Sequence, residues 1–216
     1  METFKIIHGA NGFEVHGILD AKVLVQLSDR RAQRVAHLFL HLADLEFAAQ
    51  CLDELPKQPA DSIVQEALWG HAIVHYFKCF GSSKARSCLS EHKVLRGDAV
   101  GLEVFKEFKS LRDKHLVHDE NPLTQCIPAA ALNDGTKAYK VEKIITISVI
   151  SEIMTNDGWS NLRLLIEKAK DWVDAEYLRL CAAISADLEN VPYEELIKLP
   201  APEYSTPQDG DVHRSR

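Results

Sequence analysis

The segment from Leu111 to Asn121 holds the side chains best suited to chemistry, and it reads LRDKHLVHDEN. Arg112 carries a guanidinium that can hold an anion, and His118 carries an imidazole that can accept or donate a proton. Lys114, His115 and Asn121 add further polar groups within the same short stretch. Such a set suits a site that holds a phosphate and moves a proton from a ribose 2′-hydroxyl. The segment therefore predicts RNA or a nucleotide as the ligand.

The helix that must position these groups is predicted over about residues 98 to 118. At about 100° per residue, Arg112 and His115 fall on the same arc as the apolar side chains. A buried arginine needs an anionic partner or a polar interface. We therefore expect Arg112 to be held in a defined position. The apolar side chains of this arc are Val104, Phe105, Phe108, Leu111 and Leu116.

Arg112, Asp113 and His118 form the pattern Arg-x5-His, with a polar residue after the arginine and near the end of a helix. In this pattern, and in the order of its helices from about Ser28 to Asn190, the chain resembles the HEPN superfamily of small helical bundles. The wider string RDKHLVHDEN, followed by a hairpin and a long helix, is also similar to a group of uncharacterised bacterial helical proteins.

The resemblance to the HEPN superfamily implies a metal-independent endoribonuclease that needs no cofactor. In that family the arginine and histidine meet those of a second protomer at a dimer cleft. By resemblance His118 is the acid/base, Arg112 anchors the phosphate, and Asp113 orients one of the two. The resemblance also implies a toxin or phage-defence role, with an antitoxin-type protein partner.

Two alternatives to catalysis stay open at this point. Arginine and histidine recur at similar spacing elsewhere, as in Arg31 and His37, so Arg112 and His118 could simply cap helix ends and pair with acids. The chain would then be a non-catalytic helical interaction module, in which the stripe of Arg112 and His115 forms a homodimer seam. Both the enzyme and the module are expected to be homodimers.

A metal site is a further alternative. His37 and His41 are four residues apart on the first predicted helix, and His71 and His75 have the same spacing on the second. Histidines at this spacing share a helix face and can chelate a transition metal. Against a four-histidine site, His37 is expected to face solvent. His71 is expected to be a core histidine, because it lies among apolar neighbours.

The pattern of apolar residues predicts a mainly α fold: a bundle of four to five helices with one inserted antiparallel β-hairpin before the last long helix. Ser28 is the expected N-cap of the first helix, and Asn133-Asp134-Gly135 the expected hairpin turn. The expected elements are helices over about 29–55, 61–80, 98–118 and 159–190 and a hairpin over about 124–150. The expected divisions are an irregular or partly extended segment over 1–27, the bundle over 28–191 and a tail over 192–216.

Composition limits the function classes. The chain has 216 residues and a formal net charge of −7, so any contact with nucleic acid is expected at a local site rather than along a basic track. Five scattered cysteines and no visible secretory signal favour a cytoplasmic protein. The longest apolar stretches, such as 144–150, are far shorter than the ~20 residues of a membrane span, so no membrane contact is expected. No Gly-rich phosphate loop or GxSxG motif is present.

Overall fold

The structure is a computed structural model, and it describes the chain except for residues 1–4, 10–11, 17, 19–20, 61, 119, 152–154, 204–207 and 214–216. The described chain is mainly α-helical, with an antiparallel hairpin before the last long helix. The predicted fold class is thus confirmed.

The α-helices are α1 (Arg30–Glu54), α2 (Ile63–Lys78), α3 (Glu91–Val94), α4 (Ala99–Leu111), α5 (Asn156–Leu188) and α6 (Tyr193–Leu196). A π-helix over Arg112–Val117 continues α4, and short 3-10 helices cover Leu55–Lys57 and Asp209–His213. The strands are β1 (Lys5–Gly9), β2 (Gly12–His16), β3 (Thr124–Leu132) and β4 (Val141–Ile150).

Short polar side chains start three of the helices. Asp29, rather than the expected Ser28, caps α1, because its Oδ1 accepts from the backbone N–H of Arg31 at 2.6 Å and of Ala32 at 3.0 Å. These bonds hold the pKa of the Asp29 carboxyl below its ordinary value. Ser62 and Asp98 cap α2 and α4 in the same way.

The first and last residues are more regular than the sequence predicts. The segment expected to be irregular or partly extended contains the antiparallel pair β1–β2, in register from Lys5↔His16 to Gly9↔Gly12. The C-terminal segment contains α6 and the 3-10 helix over Asp209–His213 rather than an extended chain throughout. The sequence also predicts that Asp119 is a charge at the end of the third helix, and this residue lies outside the described residues.

The chain divides into two compact units. The first unit consists of Met1–His41, Ser82–Ser87 and Val173–Arg216, and the second of Leu42–Gly81 and Cys88–Trp172. The predicted divisions at residues 28 and 192 stay predictions. In the first unit the buried side chains include Leu38, Val173, Leu180 and Ile184.

The second unit has an aromatic core. The Tyr76, Phe77 and Phe105 rings contact one another at centroid distances of 5.0–6.1 Å. The Trp159 indole N–H on α5 donates to the carbonyl of Leu52 on α1 at 3.2 Å. Burial of these large rings and their aliphatic neighbours stabilises the fold by roughly 25 cal/mol per Å² of apolar surface. The aliphatic neighbours include Leu45, Leu52, Ile73, Leu162 and Ile166.

One helical stretch of the described chain, Arg30–Lys57, is long and apolar enough to cross a membrane by length and composition alone. A core helix of a soluble protein passes the same test, and Leu38, Leu45 and Leu52 on this helix are fully buried. The helix is therefore weak evidence for a membrane.

Candidate functional site

The candidate motif lies where α4 changes its helical form. The α-helix ends at Leu111, and Arg112–Val117 forms a π-helix with i→i+5 hydrogen bonds. The helix predicted over about 98–118 is present as far as Val117, but its last six residues are π-helical rather than α-helical. The assumed rotation of 100° per residue, which placed Arg112 and His115 on one apolar row, fails for the same reason. π-Helical turns are frequent at functional sites.

Helix α2 provides the surface behind the motif. The Trp69 ring on α2 contacts Phe108 on α4 edge-on, at 5.9 Å between centroids. A Cβ atom at Gly70 would stand 4.0 Å from a methyl group of Leu116, so the π-helix passes close to the α2 backbone. The aromatic core of the second unit thus fixes the start of the motif.

Arg112 is oriented by two neighbours. Its Nε donates to Asp113 Oδ1 at 2.6 Å, and its Nη2 donates to the same oxygen. Its guanidinium carbon lies 5.5 Å from the centroid of the Phe77 ring on α2, a cation–π contact. Its side chain is 26% exposed. Two of the five guanidinium N–H groups bind Asp113, so three remain without a partner among the described residues.

The other predicted site residues do not join this pair. His118 and Lys114 are exposed, and His115 is half-buried. Nδ1 of His115 is buried and has no hydrogen-bond partner within the described part of the chain. Asn121 Oδ1 accepts from the backbone N–H of Leu123 at 3.1 Å, which shapes the turn leading into β3. The structure therefore brings Arg112 and Asp113 together, and among the described residues His118 makes no hydrogen bond or ion pair with either of them.

The first histidine pair belongs to the first unit, and both histidines hydrogen-bond to one serine. His37 Nδ1 lies 3.1 Å from Ser87 Oγ and accepts from the Ser87 backbone N–H at 3.2 Å. His41 is fully buried, and its Nε2 donates to the Ser87 carbonyl at 2.8 Å. Arg34 Nη1 donates to Ser87 Oγ at 2.6 Å. Partial burial, then the cations Arg34 and Arg86, lower the pKa of His37. The expectation that His37 faces solvent is wrong, because it is half-buried against Ser87.

The second histidine pair belongs to the second unit and lies at its surface. His71 is exposed, contrary to the expectation of a core histidine, because Val64 and Val74 beside it are exposed as well. His75 Nδ1 binds Asp44 Oδ1 at 2.9 Å. Asp44 is almost buried, in a row of α1 that also holds Ala48.

Among the described residues, no group of three or more His, Cys, Asp or Glu side chains could hold a metal ion. Sequence reasoning missed Ser87 and Asp44 as histidine partners. Asp44 is a charged residue within an apolar helical stripe, and this was the available signal. The same signal singled out Arg112.

The β3–β4 hairpin is an exposed apolar element. Ile127 pairs with Ile147 and Ala129 with Ile145, so these four side chains share one face of the two-stranded sheet. Ile127 and Ile147 are 54% and 51% exposed, and Val149 beyond them is exposed as well. A two-stranded hairpin is at best marginally stable in water without further packing. This face is therefore suited to a partner surface.

A groove in the first unit is also apolar. Its volume is about 680 Å³, and it lies between the first half of α1 and the second half of α5. Its polar groups include Tyr177, whose pKa is raised by burial and by the neighbouring Cys181 thiol. The remaining lining side chains include Val35, Phe39 and Ile184. This lining is suited to apolar surface rather than to phosphate.

Comparisons of the chain with protein-family models, with curated proteins and with solved structures yield no match. The function must therefore be inferred from the residues of this chain and their surroundings.

Proposed function

We propose that the chain binds RNA at Arg112 and cleaves it without a metal ion, as a homodimer. The observation that carries this proposal is that the Arg112 guanidinium is held in place and still has N–H groups to donate. Its guanidinium is held by Asp113 and by the Phe77 ring, and three of its N–H groups remain for an anion. An arginine fixed in this way loses little side-chain freedom when it binds a phosphate.

The reaction is transfer of the phosphoryl group within the RNA. The 2′-oxygen forms a bond to the adjacent phosphorus, and the bond from phosphorus to the 5′-oxygen breaks. His118 takes the proton from the 2′-hydroxyl or returns one to the leaving 5′-oxygen. Arg112 stabilises the charge that develops on the phosphate oxygens. The products are a 2′,3′-cyclic phosphate end and a 5′-hydroxyl end.

A second copy is part of the proposal because His118 makes no hydrogen bond or ion pair with Arg112 among the described residues of one chain. His118 is exposed and follows directly after the π-helix, so it is accessible to the Arg112 of another copy. A cleft between two copies then holds one arginine and one histidine at each cleavage position. A small, specific RNA target fits the net charge of −7, since it requires no extended basic surface.

The test is RNA cleavage in excess chelator by wild type, His118→Ala and His92→Ala. His92 is an exposed histidine on α3 outside the motif, so it is the matched control. We expect wild type and His92→Ala to leave 2′,3′-cyclic ends. His118→Ala should be slower by about 10²-fold or more, the usual contribution of general acid–base catalysis. The melting temperature should stay unchanged, because His118 is exposed.

Absence of cleavage by folded wild type, or equal rates for wild type and His118→Ala, would contradict the proposal. Arg112→Lys keeps the charge but loses the planar fork. Arg112→Lys should therefore bind phosphate more tightly than Arg112→Ala but more weakly than wild type.

A non-catalytic dimerisation module is the second candidate, and the exposed hairpin face favours it. The partner we propose is a second copy of the chain, packed on the face of Ile127, Ile145 and Ile147. Light scattering after size exclusion should then give a dimer for wild type and a monomer for Ile147→Lys, with an unchanged far-UV circular dichroism spectrum. A wild-type monomer at tens of micromolar would rule this candidate out. A dimer lost in Arg112→Ala but kept in Ile147→Lys would place the seam at the motif helix instead.

A further inference from the structure

Helix α2 presents two histidines one turn apart, and neither belongs to the Arg112 motif. The rings of His71 and His75 have centroids 6.4 Å apart and an interplanar angle of 21°. His71 is exposed, and the side chain of His75 is 25% exposed. Both rings are therefore accessible to a solute.

The hydrogen bonds of the two rings determine which nitrogen carries the proton. His71 Nδ1 lies 3.0 Å from the carbonyl oxygen of Ala67, and His75 Nδ1 lies 2.9 Å from Asp44 Oδ1. Carbonyl and carboxylate oxygens only accept, so Nδ1 must be the donor in both rings. In the neutral imidazole Nε2 then carries the lone pair. Neither Nε2 has a hydrogen-bond partner among the described residues.

This arrangement is the one that metal-binding histidines adopt. Such histidines usually donate their second ring N–H to a carboxylate or a backbone carbonyl, which fixes the ring and raises its basicity. Asp44 is well placed for this role, because its side chain is 10% exposed and also accepts from Lys78 Nζ at 2.9 Å. The ring of Phe47 packs against His75 at 4.5 Å between centroids and limits its rotation.

We propose that His71 and His75 chelate one divalent transition ion through their two Nε2 atoms. Imidazole nitrogen suits Ni²⁺, Cu²⁺ and Zn²⁺, whereas Mg²⁺ and Ca²⁺ prefer oxygen. Bonds of about 2.0–2.1 Å to both nitrogens require the rings to tilt towards each other. The exposed His71 side chain can make this movement. Water fills the remaining coordination positions.

The site is independent of the proposed nuclease, since it shares no residue with the motif. Ni²⁺ is the appropriate probe, because the exposed thiols of Cys88 and Cys126 attract softer ions. Titration calorimetry of the chelator-treated full chain should show saturable binding of one Ni²⁺ per chain. The same titration of His71→Ala should show at least a tenfold weaker affinity, and His92→Ala should match wild type.

Two further measurements test whether the ion binds at the rings of His71 and His75. Paramagnetic Ni²⁺ should broaden the imidazole C–H resonances of His71 and His75 before those of the other histidines. Asp44→Asn should weaken binding by about 10- to 100-fold, the usual effect of losing an outer-shell partner. Equal Ni²⁺ affinity in wild type and His71→Ala, or no saturable binding by wild type, would overturn the proposal whatever the nuclease assay shows.

Discussion

The chain carries two histidine pairs with the same four-residue spacing, and their surroundings give them opposite properties. Nδ1 of His37 accepts from the Ser87 backbone N–H and Nε2 of His41 donates to the Ser87 carbonyl, so these bonds hold a loop. His71 and His75 direct only Nδ1 to protein oxygens, so each keeps Nε2 for a ligand. Spacing alone therefore does not distinguish a structural pair from a binding pair. The distinction lies in which ring nitrogen makes the bond and in whether that nitrogen donates or accepts.

The largest expected difference between the pairs is in stability. His41→Ala should lower the free energy of unfolding by about 2–4 kcal/mol, because it opens a cavity and removes a donor from the Ser87 carbonyl. The exposed His71→Ala should change it by no more than ~0.5 kcal/mol. Urea unfolding followed by circular dichroism checks both. If both variants lost a similar free energy of unfolding, the two pairs would not differ in their structural role.

A smaller effect should appear in the pH dependence. The pKa of His37 is lowered in the folded chain, so the unfolded chain takes up the proton first as the pH falls. The contribution of His37 to stability should be complete above its unfolded pKa of about 6.5 and be lost as the pH falls through the folded value. Thermal melts between pH 7.5 and 5 should show this loss in wild type.

His37→Gln is the control for the pH effect, since glutamine keeps a polar side chain that does not titrate in this range. Its melting temperature should depend less on pH than that of wild type over the same interval. An unchanged slope would assign the pH dependence to another group.

The helices and the β3–β4 hairpin could be predicted because their signals are local. Ser62 and Asp98 start helices through their own side chains, and Asn133 and Asp134 form the hairpin turn within a few residues. The cap of α1 was misplaced by one residue, because Ser28 and Asp29 both have capping side chains. Only the backbone geometry selects Asp29.

The site was less predictable because its contacts are distant in sequence or depend on helical form. Asp113 lies next to Arg112, so their ion pair could be anticipated, but the contact with Phe77 could not. The π-helix has no signature in the apolar spacing of the segment. The partnership of His75 with Asp44 spans 31 residues, and periodicity within a single helix cannot reveal it.

The exposed hairpin has a consequence for how the chain behaves at high concentration. The strand VEKIITISVI contains neither proline nor glycine, and its centre is rich in β-branched residues. Segments of this kind, when exposed at a sheet edge, template intermolecular cross-β stacking. Glu142 and Lys143 stand at one end of the strand as charged gatekeepers, and the five residues from Ile144 to Ser148 carry no charge. Without a partner on this face, aggregation during overexpression would begin at β4.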